Sequence, residues 1–160
     1  MNGHRILIWF AVCGTFLSSL AGCTAPASTD SWVVIPESRL KELGIGTAPS
    51  SNAEVEGYWT PTEDDILFLE EKLPSFLREQ STSFHREPPV WEQLDTYKRQ
   101  YAGVIVNGRK IVYGNFFCTD AGIDWKKNWV FVLDGGDCFF QFQLDVADGT
   151  FRGLTVNGDA

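Results

Sequence analysis

The chain has 160 residues, of which 44% are hydrophobic, and its formal net charge is −8 at pH 7. This length suits a single domain with a short extension. The acidic charge argues against nucleic-acid binding, where phosphate contacts need lysine and arginine, and against a polybasic attachment to anionic lipid headgroups.

Residues 1–22 show the order of an export signal. A short polar start with Arg5 precedes an apolar run over residues 6–17, and small residues then lead into Cys23. A membrane helix needs about 20 apolar residues, so the shorter run makes a single transmembrane anchor the weaker alternative. We therefore predict that residues 1–22 are a signal peptide. The remaining 138 residues would carry a charge of −9, because Arg5 leaves with the signal.

The four residues Leu20-Ala21-Gly22-Cys23 resemble the lipobox of bacterial lipoproteins. The resemblance implies that the Cys23 thiol is acylated, with palmitate among its chains, and that Cys23 becomes the mature N-terminus. Thr24 stands where an Asp would favour retention in the inner membrane, which implies an outer-membrane lipoprotein facing the periplasm. A lipoprotein carries two or three acyl chains, whereas one chain alone holds a protein only marginally. The alternative is a buried cysteine behind an ordinary secretory signal.

The cysteine count predicts one disulfide. Cys13 leaves with the signal and Cys23 is acylated, so Cys118 and Cys138 remain as a pair. Exported proteins live where disulfides persist. Because the two residues lack Cys-X-X-Cys spacing, we predict a structural bond and not a redox centre.

The start of the mature chain is typical of a tether. Residues 24–31 are Ala, Pro, Ser and Thr with one Asp, a composition that favours flexibility. Residues 32–46 contain a short apolar run ended by Pro36, and they either pack on the domain edge or meet a partner. We assign residues 23–58 to a lipidated, mostly flexible tether and residues 59–160 to one domain.

A helix is predicted after Thr60, which can cap it, with Pro61 at its first position and Glu63 closing a capping box. One apolar face then recurs at helical spacing: Ile66, Leu69, Leu73, Phe76 and Leu77. Pro74 falls inside this pattern, so we expect a kink near it or two short helices that meet there.

The second half of the chain predicts an antiparallel sheet. Asn107-Gly108 between two β-branched runs indicates a hairpin with a type I′ turn. Residues 129–133 and 138–144 around an Asp134-Gly-Gly-Asp137 turn indicate a second hairpin, and residues 151–156 a last strand. Phe140, Phe142 and Leu144 share one face with Cys138, and Gln141, Gln143 and Asp145 lie on the other, which is the pattern of a sheet covered on one side. The expected fold is α+β: one helix on one face of a four- or five-stranded antiparallel sheet.

The disulfide and a simple meander of strands conflict. The meander would place Cys118 and Cys138 at opposite sheet edges, whereas a disulfide needs Cα atoms within about 7 Å. We give the disulfide precedence, so that either residues 119–127 carry the chain back across the sheet or the second strand ends early. The loop over residues 119–128 becomes the candidate interaction surface, with five named residues: Asp120, Asp124, Trp125, Lys126 and Lys127.

The stretches Gly114-Asn-Phe-Phe-Cys118 and Asp134-Gly-Gly-Asp-Cys-Phe-Phe140 resemble uncharacterised bacterial envelope proteins, which bring no site with them. No hydrolase or metalloprotease motif accompanies His85, the one histidine after the signal. The first hypothesis is therefore a non-catalytic interaction module, without cofactor or metal, that binds another envelope protein and no nucleic acid.

Two alternatives remain. One is a structural envelope lipoprotein without a discrete ligand. The other is an enzyme in which acids work as a pair or hold a metal, from among Asp120, Asp124, Asp134 and Asp137. The spacing of Asp134-Gly-Gly-Asp137 does not match the calcium loop of an EF-hand, and turns are the commoner use of Asp and Gly.

Overall fold

The computed structural model describes residues 30–43, 54–120 and 122–158. The predicted signal peptide, the lipobox and Cys23 lie outside these residues. The described chain contains two α-helices and six strands: β1 (Trp32–Ile35), α1 (Glu37–Leu43), β2 (Gly57–Trp59), α2 (Glu63–Glu79), β3 (Lys98–Val106), β4 (Arg109–Phe117), β5 (Phe139–Asp145) and β6 (Thr150–Val156). Neither helix among these residues is long and apolar enough to cross a membrane.

The strands form one mixed sheet in the order β1-β3-β4-β5-β6, with β2 also paired to β3. The α+β class is confirmed, but the purely antiparallel sheet is wrong because β1 runs parallel to β3. A parallel pair needs a long crossover, and the chain between β1 and β3 supplies it with both helices. Residues 32–43 and 54–58, which the sequence assigned to the tether, thus contribute β1, α1 and part of β2 to the folded unit.

The hairpin at Asn107-Gly108 is present, with φ values of 51° and 70° at the two turn residues. The second predicted hairpin is wrong. Residues 129–133 do not pair with β5; β4 does, in a register that joins Phe117 to Phe139. The chain leaves the sheet after β4 and returns to it as β5, which lies directly beside β4.

This register brings the two cysteines together. Cys118 directly follows β4 and Cys138 directly precedes β5, and they form a disulfide with Cα atoms 5.0 Å apart. The N–H of Cys118 donates to the carbonyl of Cys138 at 3.0 Å. The predicted disulfide is confirmed, and the conflict with the meander disappears because no strand lies between β4 and β5.

The cap of α2 lies two residues later than predicted. Thr62 Oγ1 accepts from the N–H of Asp65 at 3.3 Å, and the N–H of Thr62 donates to Asp65 Oδ2 at 2.8 Å. Thr60 instead accepts from the N–H of Glu37 at 3.2 Å, at the start of α1. Both threonines can cap a helix, and tertiary structure assigns one to each. The helix continues through Pro74 as one element, so the alternative of two short helices is wrong.

Helix α2 covers the first face of the sheet. Its buried leucines and isoleucine pack against aromatic and apolar residues of the central strands: Tyr101, Phe116, Phe140, Phe142 and Leu144. A buried ion pair fixes its position, with Arg99 3.1 Å from Glu70. The hydroxyl of Tyr101 donates to the same carboxylate at 2.5 Å. Burial, and then the charge of Glu70, raise the pKa of Tyr101 well above its usual value.

The second face of the sheet is covered by α1 and by the chain between β4 and β5. Leu40 of α1 packs in one cluster with Ala102 and Tyr113. Trp125 and Val130 pack in another, on Phe117 and Phe139. The functional candidates lie where this second cover ends.

Candidate functional site

Residues 129–134, which we name the strap, cross the second face of the sheet instead of joining it as a strand. The backbone of Val130 bonds to side chains of β3 and β4. The carbonyls of Val132 and Asp134 accept from the side chain of Asn157, just after β6, at 2.6 and 3.2 Å. The strap therefore passes from the centre of the sheet to its β6 edge.

Side-chain amides hold the strap in place. Gln100 is fully buried and donates to the carbonyls of Trp125 and Asn128 at 2.5 and 2.7 Å. Its Oε1 accepts from the N–H of Val130 at 2.9 Å and from Asn115 Nδ2 at 3.1 Å. Asn115 also donates to the carbonyl of Val130 at 2.8 Å. The Gln100 amide thus uses both of its donors and both lone pairs, so this polar network is fully satisfied there.

The strap alternates between buried and exposed side chains. Val130 is buried, whereas Phe131 and Leu133 are 67% and 73% exposed. Val130 uses its N–H and its C=O on the side-chain amides, and Val132 uses its C=O. Among the described residues, the N–H of Val132 and both backbone groups of Phe131 and Leu133 have no hydrogen-bond partner.

A groove borders the strap, with a cavity of about 310 Å³. Strap residues 129–133 line it on one side, and Tyr113, Asn115, Gln141 and Thr155 line it from neighbouring positions of three strands. We name it the strap groove. None of its lining residues is charged, although 21% of the whole chain is. The size lies at the small end of the range for ligand sites, about 300–1,000 Å³.

Tyr113 lines part of the groove and has a buried hydroxyl without a hydrogen-bond partner among the described residues. The residue is only 3% exposed, and its ring centroid lies 5.8 Å from that of Trp129. Its hydroxyl is buried and has no hydrogen-bond partner among the described residues. Burial raises the pKa of Tyr113 above its usual value, so the hydroxyl stays protonated at neutral pH and can donate. This hydroxyl is closed off from solvent, and the ring packs in one cluster with Ile35, Leu40 and Ala102, so the hydroxyl is an unsatisfied group of the core.

The predicted interaction loop presents charge rather than an aromatic ring. Trp125 is 8% exposed and packs edge-on against Phe117, with ring centroids 5.9 Å apart. Asp120 pairs with Lys98, whose hydrogen bond lowers the pKa of that carboxyl. Lys127 pairs with Asp124 at 3.0 Å, and Lys126 lies 3.6 Å from Asp30. Binding by this loop stays a prediction, but it would act through these charged side chains.

The acids considered for an enzyme each have a separate structural contact. Asp137 Oδ2 accepts from the backbone N–H groups of His85 and Arg86 at 2.5 and 2.6 Å. The backbone of Asp134 forms an isolated β-bridge with that of Gly158. Among the described residues, no three His, Cys, Asp or Glu side chains are grouped as a metal site requires. The Asp-Gly-Gly-Asp segment makes a tight turn, with φ of 101° at Gly135.

Sequence reasoning missed the strap groove. The apolar run at 129–133 was interpreted as a strand of the sheet, which would have hidden Phe131 or Val132 in a core. One signal pointed the other way, because a strand at this place contradicted the disulfide. The amides of Gln100 and Asn115 and the hydroxyl of Tyr113 carried no signal, since polar residues within strands are common on solvated faces.

Comparison of the chain with protein-family models, with curated proteins and with solved structures finds no match. The case for a function therefore rests on the residues of the strap groove and on the sequence.

Proposed function

We propose that this chain is a lipid-anchored protein of the bacterial cell envelope, held in the outer membrane and facing the periplasm, that works as a non-catalytic protein-interaction module. The lipobox at Leu20 to Cys23 supports the anchor. Eight residues separate Cys23 from Trp32, where the first strand begins, and they reach at most about 29 Å when extended. Such a tether would keep the folded unit near the bilayer.

The observation that carries the interaction role is the exposure of Phe131 and Leu133 on a clamped strap beside an uncharged groove. Adjacent large apolar side chains outside the core are typical of contact surfaces. The amides that hold the strap fix this surface before a partner arrives, which lowers the entropy lost on binding.

Photo-crosslinking in the native envelope tests the role. A photoreactive phenylalanine analogue is placed at Phe131 in the lipidated protein, and in a control at Phe68, which is 44% exposed on α2. We expect a discrete protein adduct from position 131 and none from position 68. Equal adducts at both positions, or none at position 131, would contradict the interaction role and favour a structural lipoprotein.

The anchor has a separate test. Metabolic labelling with an alkyne analogue of palmitate should mark the wild-type chain, and Cys23→Ser should abolish the label and release the protein from membranes. A labelled Cys23→Ser variant, or an unlabelled wild type, would refute acylation at this residue.

A further inference from the structure

A pocket with basic side chains lies where the tether enters the folded unit. Its lining consists of Ile35, Pro36, Arg39, Lys126 and Lys127, and its cavity measures about 370 Å³. We name it the basic pocket and propose that it binds anionic headgroups of the bilayer that holds the lipid anchor. The folded unit would then have a second contact with the membrane. The proposal rests on the anchor proposed above and assigns a ligand to two lysines of the predicted interaction loop.

The position of the pocket is the first argument. Ile35 ends β1, and Lys126 Nζ lies 3.6 Å from Asp30, the first described residue on the side of the tether. The chain between Cys23 and Trp32 reaches at most about 29 Å. The anchor therefore holds this part of the folded unit within reach of the bilayer surface.

The lining of the pocket matches the chemistry of a lipid headgroup. Three of its five residues are cations, the other two are apolar, and none is an acid. The guanidinium of Arg39 donates to the carbonyl of Lys127 at 3.4 Å and to Asn128 Oδ1 at 3.3 Å, which fix its direction. A positioned guanidinium and lysine ammonium groups are the usual partners of a phosphate. The apolar residues offer a surface to the glycerol part of the lipid.

Each of the three cations also has an acidic neighbour, in the pairs Arg39–Glu42, Lys126–Asp30 and Lys127–Asp124. All six side chains are exposed to solvent. Exposed ion pairs contribute little, because water and salt screen them. A headgroup phosphate can therefore replace an acid at one of these cations without a large cost.

A weak contact is enough to orient a protein that is already anchored. The net charge of the whole chain is −8, so an anionic bilayer repels the chain and would not recruit it from solution. The acyl chains supply the attachment instead, and they keep the pocket at a high effective concentration of headgroups. Attraction of the basic pocket and repulsion of the acidic remainder then favour the same orientation, with the pocket toward the lipid.

Lysine labelling of the lipidated full chain tests the contact. The protein is reconstituted into vesicles of phosphatidylcholine, or of phosphatidylcholine and phosphatidylglycerol in about equal parts, and a membrane-impermeant amine reagent marks its lysines for mass spectrometry. We expect Lys126 and Lys127 to react about fivefold more slowly in the anionic vesicles. Lys72 on α2 is the internal control, and its rate should not change. It matches Lys126 in side-chain exposure, 50% against 52%, and each has an acidic neighbour and an aromatic ring nearby.

Charge reversal and salt then show whether the pocket causes the protection. In anionic vesicles, Lys126→Glu should return the labelling rate of Lys127 to its value in neutral vesicles, and Lys72→Glu should leave it slow. The difference should also vanish at about 1 M salt, where the Debye length is about 3 Å. Equal rates in both kinds of vesicle, or equal slowing of Lys72, would overturn the proposal. Protection by added polyglutamate in neutral vesicles, without protection by anionic lipid, would assign the pocket to an acidic peptide and would overturn it too.

The headgroup contact and the anchor can fail separately. Equal lysine rates on a chain that carries palmitate would overturn the contact and leave the anchor standing. A wild-type chain without palmitate would refute the anchor, and the contact would fall with it. The photo-adduct at Phe131 concerns the strap groove, which shares no lining residue with the basic pocket.

Discussion

The buried amide of Gln100 should contribute about 3 kcal/mol to the stability of the domain, and Gln100→Leu tests this. Its four hydrogen bonds connect β3 to Trp125, Asn128, Val130 and Asn115. Leucine has a similar volume, so the substitution removes the bonds without leaving a large cavity. The loss of stability depends on how deeply the partners of these four hydrogen bonds are buried.

Three of the four bonds are fully buried: those to the Trp125 carbonyl, the Val130 N–H and the Asn115 amide. The bond to Asn128 is partly buried, so water can replace it. A buried group left without a partner costs about 1–3 kcal/mol, and the low end applied to three groups gives about 3 kcal/mol. This is a large share of the about 5–15 kcal/mol that stabilises a typical domain.

Urea unfolding followed by tryptophan fluorescence measures the effect, with Gln141→Leu as the matched control. Gln141 lies in the same row of the sheet but is half-buried and makes one bond of 3.3 Å. We expect the control to lose less than about 1 kcal/mol. If Gln100→Leu costs no more than the control, the amide does not hold the strap, and the disulfide and the packing of Val130 must do so.

Three further predictions concern stability. Tyr113→Phe should leave the free energy of unfolding unchanged or raise it by up to about 1 kcal/mol, since the hydroxyl has no partner among the described residues; thermal melting checks this, and a large loss would reveal an unseen hydrogen bond. Reduction of the Cys118–Cys138 disulfide, whose cysteines are 20 residues apart, should lower that free energy by about 3 kcal/mol in urea titrations, and a change below about 1 kcal/mol would contradict the loop-entropy argument. A hydrogen bond from Arg109 lowers the pKa of Asp145, so its contribution is present above about pH 4 and is lost as the pH falls through the folded pKa. Asp145→Asn should therefore destabilise the protein at pH 7, and the difference from wild type should shrink at pH 3; a constant difference would refute the linkage.

Local patterns predicted the parts of the fold that local chemistry decides. Asn107-Gly108 indicates a type I′ turn because both positions need positive φ, and the turn forms there. The alternation of Phe140 and Phe142 with Gln141 and Gln143 correctly placed the phenylalanines under α2. These signals depend on a residue and its near neighbours, so no tertiary information was needed.

Pairings between distant segments could not be predicted in the same way. The run at 32–35 is apolar enough for a strand, but nothing in it specifies a parallel partner more than 60 residues away. Residues 129–133 have the composition of a strand, yet the disulfide leaves no place for them between β4 and β5. The sequence predicts an exposed Trp125 because polar residues surround it. In the structure its ring packs instead against the buried ring of Phe117.

The amides beneath the strap connect stability to recognition. Gln100 does not line the groove, so Gln100→Leu removes no direct contact with a partner bound there. It does release the backbone of Val130, next to Phe131, whose exposed side chain we propose as a partner contact. A strap that must be ordered on binding loses conformational entropy at that moment, about 1–2 kcal/mol for each residue that becomes fixed. We therefore expect Gln100→Leu to lower the yield of the photo-adduct at position 131 severalfold under conditions where the variant stays folded, whereas Gln141→Leu, which alters the groove but not the clamp, should leave the strap ordered. Slower hydrogen exchange at the N–H of Val130 in the control than in Gln100→Leu would identify preorganisation as the cause, and equal adduct yields from wild type and Gln100→Leu would show that the strap keeps its conformation without the amide.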